Sequence, residues 1–210
     1  MVAELPQRDI LVDWGLERGE VVLGEGSLGE VRRGRYIGAP VAIKRLAKDD
    51  AEWGEMLAEV RALLRLSHPL LVQLLGVLEE EGGRALVMEL APGSLHDLLY
   101  ADRALLASKR LDPTPWHDSP GFVAAMLLDC AGALDFLHSQ SMPHQSLKAS
   151  NVLVFHGFRC KLSDVSLRRR TKSAEQPSAN ADSLSLKASL AMDVLAMGVL
   201  VRTSKCNMIT

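Results

Sequence analysis

Three glycines near the amino terminus interrupt a stretch of residues that favours β-strands. They are Gly24, Gly26 and Gly29, and together with Val31 they form the pattern GxGxxGxV in LGEGSLGEV. Glycine has no Cβ, so backbone N–H groups at such positions can approach phosphate oxygens closely. Taken alone, the pattern also fits an ordinary β-turn of flexible residues. The residues that follow it therefore decide which fold the chain can adopt.

Those residues favour strands over helices. Residues 30–34 predict a strand that leads into a turn, whereas a Rossmann loop requires a helix directly after its glycines. A P-loop requires GK[ST], which this chain does not contain after the glycines. Lys44 lies 15 residues after Gly29 and ends the segment VAIK, which predicts another strand. Its alternation places Ala42 and Lys44 on one face, and Val41 and Ile43 on the other.

The rest of the chain predicts an α+β fold. Apolar residues at three- and four-residue spacing predict helices over 49–66 and 122–140. The apolar runs 71–78 and 85–90 flank EEEGG and predict a hairpin. A Pro-Gly break follows at Pro92, and then a short helix is expected. Because strands precede helices, the pattern favours a small β-rich lobe followed by a helical lobe.

Composition excludes several classes of function. The 210 residues carry a formal net charge of −2, so no global basic field points to nucleic acid or anionic membranes. Three cysteines, Cys130, Cys160 and Cys206, form neither a disulfide framework nor a CxxC metal pair, and the six histidines form no HExxH. The longest nearly apolar run, residues 190–201, contains Asp193 and falls short of the ~20 residues of a membrane span. With no signal peptide visible, a cytoplasmic location is expected.

The glycine pattern and VAIK together resemble the protein kinase family. The resemblance implies that ATP and Mg²⁺ are the ligands, that the glycine-rich hairpin covers the phosphates, and that Lys44 contacts the α- and β-phosphates. Glu59 matches the helix C glutamate that pairs with this lysine, although a solvent-facing helix glutamate is the alternative. LSHPLLVQLLGV follows in the family's register.

ALVMELAPGSLHDLL resembles the kinase hinge. By this match Met88 is the gatekeeper, and backbone groups from Glu89 to Ala91 pair with the adenine edge. The same segment also fits an ordinary apolar core. The style of the motifs is closest to tyrosine-kinase-like Ser/Thr kinases. The residues that would enclose the purine are Val31, Ala42 and Leu153.

The segment HQSLKASN lies where the family has the catalytic loop H-R-D-L-K-x-x-N. Gln145 replaces the arginine and cannot pair with a phosphorylated activation loop as arginine would. Ser146 replaces the aspartate that accepts the proton of the substrate hydroxyl. A serine hydroxyl is neutral near pH 7 and is not a useful base. The residues that match the family are His144, Leu147, Lys148 and Asn151.

The family's D-F-G motif corresponds to Asp164, Val165 and Ser166. Asp164 and Asn151 therefore remain as magnesium ligands, whereas the side chain of Ser166 restricts a backbone excursion that glycine allows. Asp193 begins DVxxxG, which resembles the start of helix F, and the chain ends a dozen residues after it. The resemblance thus implies an N-terminal extension over 1–16, a kinase N-lobe with helix C and hinge over 17–91, and an incomplete helical C-lobe over 92–210.

Three functions remain open from the sequence. The favoured one is a two-lobe, kinase-like protein that binds ATP but is catalytically impaired, and that acts as a pseudokinase or scaffold. The second is an active Ser/Thr protein kinase that transfers the γ-phosphate of ATP to protein hydroxyls. The third is an interaction module that binds no nucleotide. The expected partners are ATP and a protein substrate or signalling partner, with no nucleic acid and no membrane span.

Overall fold

The computed structural model describes residues 16–26, 29–46, 60–80, 83–109, 111, 120–156, 159–165 and 191–198. The chain divides into two compact units. The first unit comprises Met1–Ser67 and Gln73–Leu90, and the second comprises His68–Val72 and Ala91–Thr210. The first is dominated by strands and the second by helices, so the predicted α+β class is confirmed.

The first unit contains one antiparallel sheet of five strands in the order β1-β2-β3-β5-β4. The predicted hairpin around EEEGG is confirmed as β4 and β5, which pair from Leu74 opposite Met88 to Glu80 opposite Gly83. Residues 60–65 are helical and belong to the helix predicted over 49–66, of which residues 49–59 lie outside the described residues. The strands are β1 (Leu16–Gly26), β2 (Gly29–Tyr36), β3 (Ala39–Leu46), β4 (Leu74–Glu80) and β5 (Gly83–Glu89).

Strand β3 lies in the centre of this sheet and is buried on both faces. Val41 and Ile43 belong to one buried apolar cluster with residues of β4 and β5. Ala42 and Lys44 alternate with them and are also buried. This confirms the predicted division of VAIK between two faces, which follows from the twofold periodicity of a strand.

The second unit combines helices with a three-stranded sheet in the order β6-β7-β8. Residues 68–72 join this unit because Val72 N donates to Leu162 O and Leu162 N donates to Leu70 O, both at 2.9 Å. The strand predicted from residue 71 therefore begins only at Leu74. The named elements of this unit are α1 (Leu95–Tyr100), α2 (Arg103–Ser108), α3 (Pro120–Ser139), a 3₁₀ turn (Ala149–Asn151), β6 (Gly93–Ser94), β7 (Val152–Val154) and β8 (Cys160–Leu162).

A side chain at Gly93 would force its neighbours to shift. A Cβ on Gly93 would lie 2.6 Å from Leu111 Cδ1 and 2.9 Å from Asp97 Oδ2. Asp97 cannot easily withdraw, because its Oδ2 accepts from Ser94 N and pairs with Lys109 Nζ. We expect Gly93→Ala to lower the free energy of unfolding by about 1–3 kcal/mol, measured by urea denaturation. In Gly24→Ala, the control, the new Cβ meets nothing within 4 Å. Equal stability of the two variants would contradict the steric argument.

Candidate active site

The strand register brings four predicted site residues to one face of the five-stranded sheet. Val31 lies opposite Lys44, and Ala42 lies opposite Met88. Directly opposite residues of antiparallel strands share a face, as do alternate residues of one strand. Val31, Ala42, Lys44 and Met88 therefore share a face, with the small Ala42 beside the long Met88. Of these four side chains, that of Ala42 is the smallest, and the Lys44 ammonium group lies two residues further along the same strand.

Lys44 is only 2% exposed, whereas Arg33, which lies opposite Ala42 on the same face, is exposed. Burying an ammonium group is costly unless other groups compensate its charge. A solvated strand lysine, the plain alternative from sequence, does not fit this burial. Glu59, the predicted counter-charge, lies outside the described residues.

The three glycines have different structural roles. Gly26 pairs with Gly29 at the end of the β1–β2 hairpin, whose tip residues lie outside the described residues. Gly29 has φ 139°, a conformation that other residues rarely adopt. Gly24 lies opposite Val31, and a Cβ there would meet nothing within 4 Å. The fold thus accounts for Gly29 but imposes no steric requirement for glycine at position 24.

The end of β5 is fixed by a reciprocal contact with Gln73. Glu89 N donates to Gln73 O at 3.0 Å, and Gln73 N donates to Glu89 Oε1 at 2.8 Å. Glu89 lies opposite Val41, so by register it belongs to the other face of the sheet. Ala91 is the first residue of the segment Ala91–Thr210, which belongs to the second unit. Leu153 is half-buried in β7 of the same unit. The adenine contacts of these residues stay predictions from the sequence.

Asp193 anchors the loop that corresponds to the catalytic loop. Its carboxylate is buried, and it accepts from His144 N at 2.6 Å and from Gln145 N at 2.7 Å. His138 Nε2, near the end of α3, lies 3.0 Å from the same carboxylate. Gln145 has φ 59°, and its bond to Asp193 holds this left-handed conformation. One carboxylate therefore connects α3, the loop and the helical residues 191–198.

His144 is fully buried in this loop. Burial lowers the pKa of the imidazole, although the Asp193 carboxylate opposes the shift. Ser146 N donates to His144 Nδ1 at 3.3 Å, which requires that nitrogen to be an acceptor. Within the described residues, His144 Nε2 is the one buried side-chain polar atom without a hydrogen-bond partner. The geometry thus favours a neutral, structural histidine over an acid or base.

Ser163, the residue before Asp164, links the chain segments that carry Asn151 and Asp164. Ser163 N donates to Asn151 O at 2.9 Å, and Asp164 follows directly in the chain. Asn151 is 4% exposed, whereas Asp164 is half-buried with φ 56°. An amide oxygen and a carboxylate are ligands that suit Mg²⁺, which usually takes few protein ligands and completes its shell with water and phosphate oxygens.

The other predicted residues of this region have simpler positions. Lys148 is exposed, and Leu147 is buried. Val165 is half-buried, and Ser166 lies outside the described residues. Within the described part of the chain, no cluster of three or more His, Cys, Asp or Glu side chains forms a self-contained metal site.

The sequence prediction did not include Asp193 among the site residues. Its sequence signal is a single acidic residue within a nearly apolar run, which argues against a membrane span and resembles the start of helix F. A charged residue in such a run is expected to be buried with partners. That expectation alone does not identify the partners, because they lie 48 and 49 residues away in the chain.

Comparison with known proteins places the chain in a family. The family model described as protein tyrosine and serine/threonine kinase matches residues 18–204. The chain belongs to the protein kinase family, as the sequence motifs predicted. Of its helices, none within the described residues is long and apolar enough to cross a membrane.

Curated relatives agree with this assignment, and a solved structure agrees with the fold. Receptor-like kinase LIP2 of Arabidopsis thaliana is 36% identical over 159 residues, which cover 72% of this chain and 27% of that protein. Probable serine/threonine-protein kinase kinX of Dictyostelium discoideum is 33% identical, with 70% and 13% covered. The crystal structure of Rad53 1-466 in complex with AMP-PNP matches with a TM-score of 0.64 and 21% identity, covering 90% of this chain and 48% of that one. The chain spans less than half the length of these proteins.

Proposed function

We propose that this chain binds Mg-ATP and transfers its γ-phosphate negligibly, so that it acts as a pseudokinase or scaffold. The observation that carries the proposal is the composition of the catalytic loop. Asp193 holds the loop in place, and Asn151 and Asp164 remain beside it, yet Ser146 stands where the family has its aspartate. The parts that bind are retained, and the part that handles the proton of the substrate hydroxyl is missing.

Each residue has a defined role in this proposal. Backbone N–H groups at Gly24, Gly26 and Gly29 contact the phosphates, and Lys44 supplies a positive charge to the same oxygens. Glu59 pairs with Lys44 and keeps it extended. Asn151 and Asp164 would hold the metal, which would neutralise phosphate charge when bound. The purine contacts are proposed for Val31, Ala42, Met88, Leu153 and the backbone from Glu89 to Ala91.

The proposed impairment follows from the chemistry of serine. A general base typically contributes ~10²–10⁴ in rate, and a hydroxyl that is neutral near pH 7 cannot replace a carboxylate. Ser146 Oγ also lies 3.1 Å from Asn151 Nδ2, so it already has an interaction within the loop. An active Ser/Thr kinase remains the alternative. Phosphate transfer that depends on Lys44 would identify it.

Calorimetric titration with Mg-ATP tests nucleotide binding directly. We expect saturable binding, weakened about 10- to 100-fold by Lys44→Met, which removes a charge-assisted contact but keeps the length of the side chain. Arg45→Ala is the matched control, because Arg45 is the next residue of β3 and is exposed. No saturable binding at millimolar Mg-ATP by a folded chain would support the interaction module instead.

A further inference from the structure

Ser146 accepts two hydrogen bonds from Asn151, a candidate metal ligand. Asn151 Nδ2 donates to the backbone carbonyl of Ser146 at 2.7 Å and to its side-chain Oγ at 3.1 Å. Asn151 is almost completely buried, whereas Ser146 is half-buried. One residue therefore offers two acceptors to the same amide nitrogen.

This contact fixes which way the Asn151 amide points. An amide nitrogen has two hydrogens, and the two Ser146 oxygens satisfy both. If the amide were flipped, Asn151 Oδ1 would face the two Ser146 oxygens. The Ser146 hydroxyl could turn and donate to Oδ1, but the backbone carbonyl could only accept. The carbonyl therefore favours the observed orientation. Oδ1, the atom suited to a metal, is then left to face away from Ser146.

The backbone of the same asparagine is held independently. Asn151 O accepts from Ser163 N at 2.9 Å and from Ser163 Oγ at 3.2 Å. Asn151 N donates to Lys148 O at 2.9 Å. Because these contacts leave the side chain free to rotate, the two Ser146 oxygens restrict it, and the hydroxyl is the one of them that depends on the side chain at this position.

We propose that Ser146 is a positioning residue for the nucleotide-bound metal ion, acting through Asn151. At the position where the family uses a charged group toward the substrate, this chain uses a neutral hydroxyl toward its own metal ligand. The inference rests on the proposed Mg-ATP binding. It predicts that the hydroxyl matters for metal affinity even though no phosphate is transferred.

The test is a pair of variants that differ only in the hydroxyl. Ser146→Thr retains it, and Ser146→Val replaces it with a methyl group of the same shape, so both introduce the same packing disturbance. Binding of Mn²⁺ in the presence of saturating ADP is measured by the electron paramagnetic resonance signal of free Mn²⁺. We expect Ser146→Val to raise the Mn²⁺ dissociation constant about three- to tenfold over Ser146→Thr, the range of one neutral hydrogen bond.

Controls separate this inference from the function on which it rests. Ser150→Ala, at an exposed serine of the same 3₁₀ turn, should bind Mn²⁺ as the unaltered chain does. Asn151→Ala should lose more affinity than Ser146→Val. Equal Mn²⁺ affinity of the Val and Thr variants, with Asn151→Ala weakened, would overturn the role of Ser146 alone. Absence of ADP and Mn²⁺ binding by the unaltered chain would overturn the proposed function and this inference together.

Discussion

Replacing Asp193 with alanine is expected to lower the free energy of unfolding by about 3–5 kcal/mol, a large share of the ~5–15 kcal/mol that stabilises an ordinary domain. The buried carboxylate accepts from two backbone N–H groups and contacts His138. Its removal takes the acceptor from the buried His144 N, at about 1–3 kcal/mol, and from the partly buried Gln145 N. It also removes the hydrogen bond from Gln145 N that accompanies the left-handed conformation of that residue.

Urea denaturation measures this effect, with Met192→Ala as the matched control. Met192 precedes Asp193 in the same helical segment but is 60% exposed, so its truncation should change stability by no more than about 0.5 kcal/mol. The stability of Asp193→Asn should lie between those of these two variants. Its amide nitrogen is a donor, so it cannot accept from a backbone N–H as the replaced carboxylate oxygen does. If Asp193→Ala unfolds at the same urea concentration as Met192→Ala, the carboxylate does not anchor the loop.

Phosphate transfer by the unaltered chain is expected to lie ~10²–10⁴-fold below that of a kinase with an intact base, and Ser146→Asp alone is not expected to restore it. The aspartate would return the base but would also place a carboxylate beside Asn151 Nδ2, which Ser146 now contacts. Ser166, where the family has glycine, stays in place. A misplacement of about 1 Å near the reacting atoms can cost ~100-fold.

Transfer of radiolabel from ATP to a generic peptide separates these contributions. Ser146→Asp combined with Ser166→Gly should be faster than Ser146→Asp, and adding Asp164→Asn should remove the gain. Recovery of ordinary kinase rates by Ser146→Asp alone would show that base loss is the whole defect. Robust turnover by the unaltered chain, abolished by Lys44→Met, would favour the active kinase.

Local patterns predicted the sheet of the first unit well. The alternation of VAIK was enough to place Lys44 and Ala42 on one face, because strand periodicity depends on the backbone alone. The pairing of Val31 with Lys44 could not be derived in this way, since register depends on the connecting turn. Residues 71–72 were placed in a strand because they are apolar, but they hydrogen-bond with β8 of the second unit.

In the second unit, family motifs supplied the identities and the structure supplied the contacts. Asn151 and Asp164 were recognised by their match to the family's H-R-D-L-K-x-x-N and D-F-G motifs. Their link through Ser163 and the anchoring of the loop by Asp193 depend on contacts between distant parts of the chain. The contact between Ser146 Oγ and Asn151 could not be predicted either, because the family has no serine at that position.

Equilibrium dialysis with ATP labelled on the γ-phosphate tests both halves of the central claim in one sample. The amount of bound nucleotide measures binding, and the fraction of the label that stays on ATP measures the absence of phosphate transfer. We expect saturable, Mg²⁺-dependent binding that Lys44→Met weakens, with the label remaining on ATP over hours. No saturable binding by the folded chain, or Lys44-dependent loss of the label from ATP to protein or water, would contradict the account.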